Sequence, residues 1–234
     1  MKKLPLPVFA MVFLLALTAS AQEPKVSKMS FGIKGGLGVS TLRGDSLASL
    51  LEDMAHAQSL PVKSSWTAAG IGAFFSYSVA PSFAIQPELL YVQKGCKFDF
   101  SGGGTTTAKS AWLEIPILLK FTPVFQGSRI APAIFAGPFI GLKMSAEFQQ
   151  SGFAAEVEVP GDFDAKDSLK STDFGFTFGG GLGYKLTKGE IFFDVRYDLG
   201  LTEFLNSGTL NRPRSQADTK TSAFLMLVGY RFDI

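Results

Sequence analysis

The chain has one cysteine, one histidine and, beyond its first 21 residues, no apolar run approaching the length of a membrane helix. The lone thiol, Cys96, cannot form an internal disulfide, and its place near a predicted strand end reads as an inert thiol. A membrane helix needs ~18 consecutive apolar residues, so helical spans are excluded after the first 21 residues. An excess of either charge is missing too. Outside those 21 residues Lys plus Arg number twenty, and so do Asp plus Glu. A nucleic-acid binder would carry a basic footprint, and none is present.

What is abundant is hydrophobicity without long runs: 46% of residues are hydrophobic, with 25 Gly and 23 Phe. Apolar residues recur at every second position, the period of a strand with one apolar face. The start of the chain is different. Lys2 and Lys3, an apolar stretch from Val8 to Leu17 and the small residues Ala19-Ser20-Ala21 fit a secretory signal peptide over 1–21, cleaved near Ala21. No cysteine follows that site, which argues against a lipid anchor. Residues 22–30 then read as a short periplasmic segment and 31–234 as one domain.

Eight strand-like segments are predicted at 31–41, 66–79, 83–95, 111–121, 130–142, 172–186, 190–199 and 221–234. The joins 42–65, 96–110, 143–171 and 200–220 are long, whereas 80–82, 122–129 and 187–189 are short. In an up-and-down sheet this alternation puts all the length at one end. Short periplasmic turns, long external loops and an even strand count describe a transmembrane β-barrel.

Parity gives the same answer. Phe31, Ile33, Leu37 and Val39 alternate with Gly32, Lys34, Gly36, Gly38 and Ser40. Ile71, Ala73, Phe75 and Tyr77 oppose Gly70, Gly72, Phe74 and Ser76. Leu113, Ile115, Ile117 and Leu119 oppose Trp112, Glu114, Pro116, Leu118 and Lys120, and Ile191, Phe193, Val195 and Tyr197 oppose Phe192, Asp194, Arg196 and Asp198. The interior of eight strands is narrow and filled by side chains. Gly, Ser, Thr and paired charges are expected there, with the Phe and Ile rows in lipid. Closure follows, because lipid offers no partner to an open sheet edge. The 130–142 segment fits less simply, since Phe135 and Phe139 share the inward parity, and a bulge is one way to resolve it. Pro87, Pro116, Pro132 and Pro138 also cut against strands, where a proline removes a ladder donor.

Two further patterns support the barrel. Phe31, Tyr77, Phe83, Phe121, Tyr184, Phe193, Tyr230 and Phe232 share outward parity near the short-turn end, as in an interfacial aromatic girdle. The last strand alternates without a break through Phe224, Met226, Val228, Tyr230, Phe232 and Ile234. Such a terminal strand is expected to act as the insertion signal read by the barrel-insertion machinery.

The segments FGIKGGLGVS, IQPELLYVQKG, LEIPILLKF, FAGPFIG, DFGFTFGGGLGY and VRYDLGLTEF resemble the PorT-like outer-membrane β-barrel family of Bacteroidetes-type bacteria. The resemblance covers nearly every predicted strand from about residue 31 and none of the long loops. It implies that Pro87, Pro116 and Pro138 are family features. The founding member is associated with protein secretion, but no residue here carries that role over.

The candidate site is a barrel-interior charge network of Glu88, Glu114, Lys120, Asp194 and Arg196, expected to plug the lumen with ion pairs. No catalytic, cofactor-binding or metal-binding residues are expected: no paired-carboxylate or metal-ligand spacing occurs. His56 sits in DSLASLLEDMAHAQSL, predicted to be a short amphipathic helix in the first long loop, among its solvent-facing residues. Arg43-Gly44-Asp45 reads as helix-capping chemistry. SGGGTTTAKS (101–110) reads as a flexible loop tip lacking the Lys-Ser/Thr end of a phosphate loop. The acidic loop holding Glu147, Glu156, Glu158, Asp162, Asp164 and Asp167 reads as solvated.

The sequence therefore predicts an all-β, eight-stranded, antiparallel up-and-down barrel in the outer membrane of a Gram-negative bacterium. It is read as non-enzymatic, with a structural, adaptor or surface-binding role linked to secretion or envelope assembly. Its partners would be outer-membrane lipid and glycolipid and envelope or secretion proteins. A narrow pore and an outer-membrane lipid-modifying enzyme are the alternatives.

Overall fold

The computed structural model describes residues 28–44, 62–100, 104–152, 163–164, 170–203 and 219–234. The predicted signal peptide, the loop helix with His56, and Asp45, Glu156, Glu158, Asp162 and Asp167 lie outside them. The strands are β1 (Met29–Arg43), β2 (Val62–Ala80), β3 (Phe83–Asp99), β4 (Thr105–Phe121), β5 (Ile130–Ser151), β6 (Phe163–Asp164), β7 (Thr172–Leu186), β8 (Gly189–Glu203) and β9 (Lys220–Asp233). Eight of them form an antiparallel up-and-down ring; β6 is a two-residue strand paired to β5 beside it. The ring closes where β1 meets β9, from Ser30↔Asp233 to Arg43↔Lys220. Every segment predicted from parity is a strand of the ring.

The exterior is apolar. Ile33, Leu37, Ile71, Ile134 and Phe174 are each more than half exposed, while the residues alternating with them face the interior. Lipid is the environment in which such a surface is stable, and a closed ladder is what lipid demands of the backbone. At the short-turn end the outward aromatics are in contact: Phe31 stacks on Phe232 with centroids 5.0 Å apart, Tyr230 lies 4.5 Å from Phe232, and Phe83 lies 4.9 Å from Phe121.

The interior is greasier than expected. Phe74, Phe135, Phe139, Phe192 and Trp112 are buried inside it. Glycine makes the room. Phe74 faces Gly32, Phe135 faces Gly179, Phe139 faces Gly175 and Phe192 faces Gly229 as direct cross-strand partners. A Cβ at any of these four glycines would meet the opposing ring at 2.4–2.8 Å. Phe135 and Phe139 thus point inward with no break in pairing from Ile130↔Tyr184 to Leu142↔Thr172. β5 does carry an irregularity further on, where Ala111 pairs Ser145 but Trp112 pairs Lys143, leaving Met144 as the extra residue. Ala68, Leu90, Val92, Ala223, Leu225 and Leu227 form a second interior cluster, packed across Gly70.

The prolines cost ladder contacts without shifting register. Pairing of β3 with β4 pauses after Pro87↔Ile117 and resumes at Leu90↔Glu114 in step; β4 with β5 pauses between Pro116↔Phe139 and Leu119↔Ala136 in the same way. Flanking strands hold the alignment, so Pro87, Pro116 and Pro138 are tolerated beside local gaps, while Pro132 faces Leu182 in an unbroken run.

Residues 105–110 correct the sequence reading. They form strand, not a loop tip: β3 and β4 run on to Asp99 and from Thr105, leaving a hairpin of residues 100–104. The amide of Phe100 donates to the Gly104 carbonyl oxygen at 3.1 Å, and Gly104 takes φ 95°, a conformation that favours glycine. Three consecutive threonines, Thr105–Thr107, supply the β-branched chemistry that strands prefer.

Candidate functional site

The barrel is crossed by a buried ionic layer. Glu88, on β3, accepts from Lys34 Nζ of β1 at 2.6 Å and from Arg196 Nη1 of β8 at 2.9 Å, one cation on each oxygen. Gln86 Nε2 adds a third bond to Oε1 at 2.7 Å. Arg196 Nε also donates to Asp198 at 3.1 Å, and Nη2 donates to Thr177 at 3.2 Å. The Thr177 hydroxyl in turn donates to Asp198 at 2.6 Å. Side chains of Lys34, Glu88, Arg196 and Asp198 are fully shielded from solvent. In such a place an ion is tolerable only when paired and hydrogen-bonded. Alternation positions them: every member lies on the inward parity of its strand.

A second pair lies beside the first. Lys94 Nζ is 2.5 Å from Glu114 Oε1 and 5.1 Å from the centroid of Phe139. Trp112 donates its indole N–H to Ser110 at 2.9 Å, and Thr221 donates to Asp173 at 2.7 Å.

Of the five charged residues singled out from sequence, only Glu88 and Arg196 touch each other. Glu114 pairs with Lys94, which the sequence reading did not name, although it shares the parity of Glu88. Lys120 and Asp194 are buried but form no ion pair; Lys120 Nζ lies 5.4 Å from the Phe192 centroid. Asp198, Thr177 and Gln86 complete the layer and were missed as members.

Towards the short turns the lumen is stoppered by Phe74 and Phe192, packed edge to face with centroids 5.5 Å apart. Lys34 lies 5.7 Å from the Phe74 centroid on the ionic side. A cavity of about 250 Å³ lies at the short-turn mouth, among Ser30, Ser76, Lys120, Lys185, Glu190 and Arg231. Arg231 is engaged there with Glu190 at 3.3 Å and Asp233 at 3.1 Å.

At the opposite end β3, β4 and β5 rise past the last apolar outward row, Tyr91–Leu113–Leu142. Above it Lys109 Nζ lies 5.8 Å from the Trp66 ring centroid and donates to Gln149 Oε1. Lys97 pairs with Asp99 at 3.2 Å. Glu147 stands opposite Lys109 and is exposed. Arg43 Nη2, inside this end, donates to the Gly200 carbonyl oxygen. Cys96 is fully buried, its Sγ donating to the Ser64 carbonyl oxygen at 3.4 Å.

Chemically, this arrangement holds charge in place. Among the described residues no three His, Cys, Asp or Glu side chains are grouped to hold a metal ion. The inward carboxylates are committed to cations or hydroxyls, apart from Asp194.

A closed antiparallel ring, apolar outside and filled with paired charge and aromatic rings inside, is a transmembrane β-barrel. The chain belongs to the outer membrane protein beta-barrel domain family, whose model matches residues 19–206. Similar solved structures include Neisserial surface protein A, at 13% identity over 87% of this chain and 97% of that one, with TM-score 0.47. OprG from Pseudomonas aeruginosa is 14% identical, over 89% and 98% of the two chains, with TM-score 0.45. Ail of Yersinia pestis, in complex with the heparin analogue sucrose octasulfate, is 12% identical over 88% and 99%, with TM-score 0.42. No curated protein matches the sequence.

Proposed function

We propose that this outer-membrane barrel is a sealed, non-enzymatic anchor in a Gram-negative envelope. Its role is structural, or that of an adaptor or surface-binding protein, and it is PorT-like in kind and linked to secretion or envelope assembly. The reading is carried by the layer Lys34–Glu88–Arg196–Asp198, backed by the Phe74–Phe192 stopper. Moving an ion through it requires breaking buried pairs, each costing about 3–5 kcal/mol when one partner is lost. With the lumen committed to stability, the surfaces left for recognition are the two ends. The external one includes the polar sheet above Tyr91. Its partners on this reading are glycolipid and envelope or secretion proteins, after signal-peptide removal near Ala21.

The test is twofold. In a planar bilayer the purified barrel is expected to show no single-channel steps; regular steps would replace the anchor with a narrow pore. Deleting 204–218 is expected to abolish surface binding or secretion while leaving the barrel folded.

A further inference from the structure

We propose that the cavity at the short-turn mouth is a binding site for a small oxyanion, a carboxylate or phosphate, with Lys120 Nζ as its charge partner. Lys120 lines the cavity with 6% of its surface exposed. Among the described residues it makes no hydrogen bond or ion pair, and its Nζ lies 5.4 Å from the centroid of Phe192. Every other lysine or arginine buried to that degree inside the ring is engaged: Lys34 and Arg196 with Glu88, Lys94 with Glu114. The carboxylate of Asp194 acts on this ammonium only from beyond ion-pair distance, so no oxygen is bonded to it, and a buried charge without a bonded partner is costly; here it borders open space large enough for one.

The surroundings match an anion. Ser30, Ser76 and Ser78 line the same space, and among the described residues their hydroxyls meet no protein acceptor, so three neutral donors stand beside the ammonium. The acids at the mouth itself are engaged. Glu190 and Asp233 share the Arg231 guanidinium, and Asp194, deeper on β8, is beyond ion-pair distance of Lys120. Lys185 adds a cation at the rim. The volume, about 250 Å³, admits a single small group and not a drug-sized ligand. Charge-assisted bonds of the N⁺–H···O⁻ and O–H···O⁻ kind would hold it. The turn residues Pro81, Ser82 and Gly189 line the cavity, so the group enters from the short-turn side. That is the periplasm for an outer-membrane barrel, and to that extent the assignment of side rests on the function proposed above.

Calorimetric titration of the full barrel in phosphatidylcholine nanodiscs, with inorganic phosphate and with succinate, tests the site. One saturable site is expected for at least one of them. Lys120→Gln is expected to weaken it by about tenfold or more. Ser76→Leu, which fills the cavity and leaves Lys120 in place, should abolish binding; Lys188→Gln, outside the cavity, should not change it. Heat-modifiable migration on gels checks that each variant is folded, and Ser76→Leu carries the test if Lys120→Gln fails to fold. Nanodiscs containing phosphatidylglycerol separate the sources: suppression of phosphate binding there assigns the site to a lipid headgroup, and no suppression assigns it to a soluble anion. Absence of saturable heat with both probes, or affinity unchanged in Lys120→Gln and Ser76→Leu, overturns the proposal. Neither result bears on whether the barrel is sealed, which conductance measures.

Discussion

The ring of Phe139 fills the space that a side chain would take at Gly175, its cross-strand partner. A Cβ there would stand 2.4 Å from both Cε1 and Cζ of the ring and 2.4 Å from the Leu199 carbonyl oxygen. Covering a strand glycine with a cross-strand aromatic stabilises a curved sheet, and four phenylalanines do so inside this barrel.

Gly175→Ala is therefore expected to destabilise the barrel by about 1–3 kcal/mol or more through overpacking. Gly35→Ala, whose Cβ would find nothing closer than 3.4 Å, is expected to be near neutral. Urea titration followed by heat-modifiable gel migration measures both.

Glu88 holds two cations at once, so Glu88→Gln leaves Lys34 and Arg196 with weakened compensation. A loss of about 3–5 kcal/mol is expected, well beyond that of an outward Ile33→Val. Pairing Glu88→Gln with Lys34→Met should recover part of it, a non-additivity expected of residues in one network. Equal stability of Glu88→Gln and the unmodified protein would remove the ionic layer as a structural element.

The two tryptophans report which side of the wall is which. Trp112 is 2% exposed and hydrogen-bonded inside; Trp66 lies at the external rim beside Lys109. In a Trp66→Phe variant, the remaining emission is expected to resist both brominated acyl chains and iodide. In Trp112→Phe, quenching by one or the other is expected. Strong acyl-chain quenching of Trp112 would mean that the wall is inside out.

Cys96 is expected to be unreactive to maleimide in the folded barrel and fully reactive after unfolding, in line with its complete burial. Labelling of folded protein would show that the sheet above Tyr91 opens.

The final strand gives the fifth prediction. Phe232 stacks on Phe31 across the seam that closes the ring. Phe232→Ala is expected to lower the yield of heat-modifiable barrel in the outer membrane, while Val79→Ala at the other side of the same rim should not. Yield unchanged by Phe232→Ala would argue against the proposed role of Phe224, Met226, Val228, Tyr230, Phe232 and Ile234 as an insertion signal.

What was legible in the sequence follows from lipid. Hydrocarbon treats every outward position alike, so alternation such as Phe31–Ile33 or Ile191–Phe193 survives without any knowledge of neighbours. Where strands leave the hydrocarbon that pressure stops. Val62–Ser65, Thr105–Ser110 and Lys143–Ser151 are strand, yet apart from Val62 and Met144 their outward residues are polar, such as Thr107, Lys109 and Glu147, and they read as loop. Inward partners were the other blind spot. Glu114 with Lys94, or Phe135 over Gly179, is a matter of register between strands, and parity within one strand says which face a residue takes but not whom it meets.

The closure of β9 on β1 brings the amide of Ile234 within 3.1 Å of the Met29 carbonyl oxygen. Beginning and end of the cylinder are thus neighbours on one rim. A short peptide joining them, with a new opening cut at 204–218, should yield a circularly permuted barrel with the same eight staves. Cargo joined just before Met29 or just after Ile234 would be displayed on the same side of the membrane.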